Sequence, residues 1–459
     1  MHAGSVISIG EALIDRLGPL GGDPSSDLPI TDCFGGAPAN VACALSRLGA
    51  KVSFIGSLGN DAFGKNFKNL LIHRGINISG LQEDNLRPTR VVLVRRDSSG
   101  ERFFEGFQGE KGIGFADQAI SLEQIIRDWP LVAENAQWLV AGTIPLASEI
   151  SSKAFLWCIE NAMHSGIKIA LDLNWRPTFW RNQVSTVSEP SVQEKNQILS
   201  ILKNVSLIKL AKEEAQWFFH TSDPTEISSS LPQRPSVVVT DGSNPILWRL
   251  NNHLGKSFAI IPSSVVDTTG AGDAFTAGLI YKLISVELDQ ISEQSAKDII
   301  QFGIACGSHV CKGVGAIEPQ PYLDDIDNLL SLSSFITYVS KGLPMNVSIE
   351  GKAEKYFKRG KELYFERIGQ MNLACNQCND NLAGNYLRAE KISQGHVNGF
   401  PSYLMRWEKI ASVHRRFQFC NNQATAEPLK IGHKDYNALQ LYIAWRGNGL
   451  LLESPSVRR

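Results

Sequence analysis

The chain has 459 residues, 43% hydrophobic and 20% charged, with a formal net charge of −1. That length exceeds one ordinary domain, and the composition excludes a disordered chain. No apolar run approaches the roughly 18 residues of a membrane span, and near-neutrality argues against a nucleic-acid protein. The neutrality hides an asymmetry: residues 351–459 carry 17 Lys and Arg against 9 Asp and Glu, leaving 28 against 37 before them. Met1–Gly4 lead straight into an apolar strand without a basic segment or cleavage site, so no signal peptide and a cytoplasmic chain are expected.

Residues 1–330 alternate short apolar runs with helical patterns. Strands are expected at Val6–Ile9, Val52–Ile55, Trp138–Ala141, Ile167–Asp172, Leu207–Leu210 and Ser236–Thr240. Helices are expected at Ala39–Leu48, Gly64–Arg74, Ser151–His164 and Glu213–Phe219. This alternation predicts an α/β domain with a mostly parallel sheet covered on both faces. A second strand set, Thr89–Arg96 and Glu101–Phe107, alternates polar with apolar and is joined by Asp97-Ser98-Ser99-Gly100, which reads as a hairpin lid. Ser-rich and Gly-Leu-Pro text at 331–350 reads as a linker. An amphipathic helix, Lys352–Arg367, opens a second domain at 351–459 that has little strand patterning. The eight cysteines read as free thiols rather than a disulfide framework.

The strongest chemical text is Asp267-Thr268-Thr269-Gly270-Ala271-Gly272-Asp273-Ala274-Phe275-Thr276-Ala277-Gly278. Small residues at 270–272 allow backbone N–H groups to approach an oxyanion, and the helix that follows adds positive potential. A carboxylate at that terminus, Asp273, is placed to take a proton from an attacking hydroxyl. No Lys-Ser or Lys-Thr follows the glycines, so this is not a Walker A loop.

This text resembles the second signature of the PfkB, or ribokinase-like, carbohydrate kinases. A first signature is present as Gly35-Gly36-Ala37-Pro38-Ala39-Asn40-Val41-Ala42, followed by Gly56-Ser57-Leu58-Gly59-Asn60-Asp61. The resemblance covers about residues 4–325 and implies a three-layer sandwich with a β lid, formed by strands around 11–35 and 89–107. It implies Asp273 as base and Gly270, Ala271 and Gly272 as anion hole. Asp15, Gly35, Gly36 and Asn40 would bind the sugar; Arg176 would contact substrate or phosphate, or pair with an acidic neighbour. Thr240, Gly242 and Gly315 would line the ATP side. Glu214 would be tied to Mg²⁺, although Ala211 stands where its motif has Asn. Asp267 and Thr269 match a K⁺ site of some members. Gly10–Arg16 and Asp172–Pro177 look most like the fructokinase branch, with other ketoses, 2-keto-3-deoxygluconate and ribose left open. The family's lid pairing leaves a homodimer open.

The C-terminal text, about Gly360–Arg459, resembles the cytochrome-c-like domain of SoxA, the haem subunit of L-cysteine S-thiosulfotransferase. The resemblance implies haem c on Cys375 and Cys378, sulfur chemistry at Cys420, and Arg416 and Arg446 as partners for an anionic thiosulfate. The axial His position holds Asn379. Two readings follow: a haem-free remnant attached to a sugar kinase, or a sulfur-oxidising haem protein carrying a kinase-like domain.

Overall fold

The computed structural model describes residues 5–96, 102–181, 188–260, 262, 265–323, 338, 340–387, 390–405, 409–429, 431–454 and 456–458. The turn expected at Asp97–Gly100 and most of the linker text at 331–339 lie outside the described residues. The chain divides into two compact units, Met1–Leu323 and Asp324–Arg459.

The first unit is built on a nine-stranded sheet. Its strands are β1 (Ser5–Ile9), β4 (Lys51–Gly59), β5 (Asn77–Asp84), β8 (Ala136–Ala141), β9 (Lys168–Asp172), β10 (Leu207–Ala211), β11 (Ser236–Thr240), β12 (Ile246–Leu250) and β13 (His253–Ser257). They run in the order β13-β12-β11-β10-β9-β8-β1-β4-β5. Pairing is parallel from β11 to β5, while β12 and β13 add an antiparallel edge.

Period-two side-chain alternation fills both faces. Val6, Trp138, Val140 and Val238 point to one core, with Phe275 and Leu279 of the helix Ala271–Leu283 and Ile300 of Glu293–Val310. Ile7, Ile9, Leu139, Ile208 and Val237 point to the other, with Phe155 of Glu149–His164 and Ile198 of Val192–Leu202. A sheet apolar on both faces has to be covered twice, and the ribokinase-like three-layer sandwich follows.

Four strands make a separate sheet, the lid: β2 (Leu13–Leu20), β3 (Thr31–Gly35), β6 (Val91–Arg96) and β7 (Arg102–Gln108), in the order β3-β2-β6-β7. The pair β2–β6 is parallel and the outer pairs are antiparallel. Every expected strand is present. The expectations missed β5, β12 and β13: Asn77–Asp84 is polar at five of its eight positions, and the last two form a half-exposed edge hairpin.

The second unit is helix-rich. Helices Glu354–Phe365, Val413–Gln423 and Lys434–Arg446 close on a core of Tyr364, Val413, Phe417, Tyr436, Leu439, Tyr442 and Ile443. The expected helix over 352–367 is real but shorter at both ends. Short strands, Ser402–Leu404 between Lys409–Ala411 and Ser456–Arg458, add a small sheet the sequence pattern did not reveal.

Candidate active site

The two glycine-rich motifs meet at one hydrogen bond. Asn40 lies in the first turn of the helix Ala37–Arg47, which opens from Gly36 at φ 101°. A side chain at Gly36 would strike the Glu11 carbonyl, so only glycine fits this corner. Asn40 Nδ2 donates to Asp273 Oδ2 at 2.8 Å, joining segments 233 residues apart. The Asn40 carbonyl is held in turn by Gln320 Nε2 at 2.8 Å. Asp15 reaches the same corner from β2, its carboxylate packed against Gly35.

Asp273 sits in the first turn of the helix Ala271–Leu283, whose cap Gly270 is left-handed at φ 77°. By helix geometry, the N–H groups of Gly272 and Asp273 find no carbonyl four residues back within the helix. They are therefore available to an anion at the positive helix end. Burial raises the Asp273 carboxyl to about 6; the amide of Asn40 opposes this, Asp172 adds to it, and Lys209 and Arg176 oppose it. Lys209 Nζ bonds Asp172 at 2.7 Å, and the Thr276 hydroxyl lies 3.1 Å from the same carboxylate oxygen. A Cβ on Gly272 would lie 3.1 Å from Lys209 Nζ, which places that ammonium beside the glycine turn. A buried carboxylate and the unbonded N–H groups of a helix end thus lie near the Lys209 ammonium, with the exposed Arg176 also favouring the charged carboxylate.

The other expected residues form separate groups. Asp267 folds its own loop: Oδ1 accepts Thr269 N–H at 3.0 Å and the Thr269 hydroxyl at 2.8 Å, while Oδ2 accepts Gly315 N–H at 2.8 Å. Both Asp267 oxygens thus carry backbone bonds, and a monovalent cation here would draw mainly on main-chain carbonyls. Glu214 is buried and accepts N–H groups of Trp175 at 2.6 Å and Ala211 at 2.7 Å. Burial pushes its carboxyl up. Both oxygens already hold the chain, so a role toward Mg²⁺ would use their remaining lone pairs. Thr240 ends β11, and Gly242 follows at φ 55° beside the Lys212–Asp241 ion pair. Arg176 is exposed and acts on both Asp273 and Glu214. Among the described residues, no group of three or more His, Cys, Asp or Glu is arranged to hold a metal.

Two ion pairs were missed. Lys209 and Asp172 had a signal: a lysine inside the apolar run Leu207-Ile208-Lys209-Leu210 needs a buried counter-charge. Arg90 and Asp117 form a buried pair under the lid, with no local motif to announce it.

In the second unit Cys375, Cys378 and Cys420 are free thiols. Burial pushes Cys375 up to about 12, and Cys420 and Cys378 add to the shift. Arg416 lies over the Phe419 ring and partly offsets the burial of Cys420. Arg446 is engaged by Asp380 and stacks over Tyr364. The Asn379 amide donates to the Cys375 carbonyl at 3.0 Å and packs against Gly395. A carboxamide tied to backbone does not replace an axial imidazole, so the thiols of a covalent attachment are present but the iron ligand that should follow them is not.

Comparison with known proteins agrees with this division. The pfkB family of carbohydrate kinases matches residues 3–323, and the chain belongs to that family. It is a sugar kinase, a phosphotransferase with an alcohol acceptor. Probable fructokinase-4 of Arabidopsis thaliana is 31% identical over 333 residues, 71% of this chain and 96% of that protein. The fructokinase of Xylella fastidiosa, solved with bound ATP, superposes with a TM-score of 0.62 at 26% identity, covering 72% of this chain and 99% of that one. The Vibrio cholerae fructokinase, solved with fructose, ADP and calcium, gives 0.56 at 26% identity, covering 70% and 96%. The C-terminal region is SoxA-like: the L-cysteine S-thiosulfotransferase subunit SoxA of Paracoccus pantotrophus is 42% identical over 132 residues, 29% of this chain. The chain spans 46% of that SoxA's length.

Proposed function

We propose that the chain transfers the γ-phosphate of ATP to a primary hydroxyl of a ketohexose, fructose first, with Asp273 as base. The Asn40–Asp273 bond carries this reading, because it sets the candidate sugar loop against the candidate base. Asp15 and Asn40 offer hydrogen bonds to vicinal hydroxyls, and Gly35 and Gly36 permit close approach. Asp273, ionised above about 6, accepts the hydroxyl proton as the oxygen attacks. The N–H groups of Gly272 and Asp273, with Lys209 and Arg176 near them, stabilise charge on the transferring phosphoryl group. Mg²⁺, when bound, would neutralise charge developing on the phosphates, with the remaining lone pairs of Glu214 the candidate hold on it. The lid, whose strand β2 carries Asp15, covers the sugar and excludes water, which limits ATP hydrolysis. The fructokinase likeness supports the choice of fructose.

The test is coupled ATP turnover by the full-length protein against fructose, ribose, 2-keto-3-deoxygluconate and other sugars. Turnover with fructose above the rest supports the reading. A clear preference for a different sugar replaces fructose but keeps the kinase. For the SoxA-like unit we propose a haem-free module, on the strength of Asn379 in the axial-ligand position.

A further inference from the structure

Glu11 lies between β1 and β2 and is 2% exposed. Its Oε1 accepts the N–H of Ala37 at 3.0 Å, the residue that starts the helix carrying Asn40. Its Oε2 is sealed from solvent and has no hydrogen-bond partner among the described residues.

The charges around it can be assigned one by one. Asp117, from the turn Ala116–Gln118, is matched by Arg90 at 2.8 and 3.0 Å. That guanidinium is fixed among the rings of Phe107, Phe115 and Phe179, 4.4 to 4.8 Å from their centroids. From the helix Ala271–Leu283 comes Asp273, which has the Asn40 amide. Asp172, beyond it, has Lys209. The first turns of the helix Ala37–Arg47 and the stretch Phe54–Gly59 of β4 carry no charged residue, and Asp15 of β2 is packed on Gly35. The local cations are thus committed to other carboxylates. An ionised oxygen without a donor in a dry interior is costly, whereas a neutral acid places a hydrogen on Oε2 and leaves Oε1 to accept from Ala37.

We propose that Glu11 is a positioning residue that works as a neutral carboxylic acid, holding Ala37, and through that helix Asn40, against Asp273, and that its ionisation turns the site down. The proposal rests on the kinase reading above. Burial, then Asp117 and Asp273, push the Glu11 carboxyl up to about 8, consistent with the neutral form at neutral pH. An ionised Glu11 raises the proton affinity of Asp273 and opposes a polyanionic co-substrate.

The experiment uses the full-length protein, wild type, Glu11→Gln and Glu11→Ala. Turnover of ATP with the preferred sugar is followed across pH, and the protonated-carboxyl stretch is read by infrared difference spectroscopy. Wild-type kcat/KM should fall on the alkaline side with a midpoint of about 8. Glu11→Gln, whose side-chain carbonyl still accepts from Ala37, should lose that alkaline fall. Glu11→Ala should lower kcat/KM by about tenfold or more, and Glu11→Gln should restore most of it. The infrared band should be present in wild type near neutral pH and absent in Glu11→Gln. An unchanged alkaline fall in Glu11→Gln overturns the proposal, as does an infrared spectrum unaltered by that change. If no sugar supports turnover, the kinase reading fails, while the infrared band still reports whether Glu11 is neutral. If Glu11→Ala does not fold, the comparison of wild type with Glu11→Gln stands by itself.

Discussion

Asp273 combines a buried position with a proposed task, accepting a proton, that needs charge. Its ordinary value of 3.8 is raised to about 6, so the folded chain binds that proton more tightly than the unfolded one. The sign is fixed by this: the group's contribution favours folding as pH falls from above 6 toward 4. At neutral pH its ionised form costs on the order of 3 kcal/mol. Asp273→Asn should therefore lower kcat by about 10²–10⁴-fold, the range for a lost general base. The same change should raise the melting temperature at pH 7 by a few degrees, because the buried charge is gone. Calorimetry beside steady-state kinetics checks both, and a less stable, fully active Asn variant would contradict the role. The wild-type pH profile of kcat/KM should show an acid limb at about 6, with activity lost below it. A limb near the ordinary aspartate value would show that Asp273 is not the titrating base. Asp273 was legible because a carboxylate after Gly-Ala-Gly is a short, local pattern. Its surroundings were less so: Lys209 signalled a buried counter-charge without naming Asp172, which arrives from the neighbouring strand, and Glu11 gains its character only from what surrounds it.

At the scale of elements, the glycine turn decides whether the helix Ala271–Leu283 can present its N-terminus. Gly270 has φ 77°, and a Cβ there would lie 2.5 Å from the Ala316 side chain. Gly270→Val should thus cost about 1–3 kcal/mol in backbone strain alone and abolish turnover. Chemical denaturation and the coupled assay measure the two losses; a valine variant with native stability would show that the turn is not constrained as described. The loop that Asp267 ties to Gly315 backs this turn, since Ala316 follows Gly315 directly. The central strands were legible in the sequence because both faces of the sheet are buried, which leaves near-continuous apolar runs such as Val237-Val238-Val239, whereas helices such as Val192–Leu202 and Glu293–Val310 were not among the expected ones. Strand β5 was not legible, because most of its positions are polar: Ser79 bonds Asn77 locally, while Gln82 is buried and bonds Ser121 far along the chain. The lid strands were recognised by alternation, but their mixed parallel and antiparallel pairing is a long-range property that alternation does not encode.

The whole molecule joins an acidic sugar-kinase unit to a basic SoxA-like unit, a division that charge, the linker text and the change of motifs all marked in the sequence. The aromatic core of the second unit, with Tyr364 fully buried, gives it an interior of its own. Expression of the full-length chain alongside a haem-c attachment system should yield no covalent haem, read as the absence of a Soret band after denaturation. A band that survives denaturation would restore the haem-bearing reading and with it a role for Cys375 and Cys378. Among the described residues no helix is long and apolar enough to cross a membrane. The account's central claim is that the first unit transfers phosphate to fructose with Asp273 as base. Coupled ATP turnover by the full-length protein, with fructose and a panel of other sugars, tests it most directly. Fructose-dependent turnover that disappears in a folded Asp273→Ala variant is the expected result. Turnover that survives that substitution, or none with any sugar in a folded wild-type protein, would contradict it.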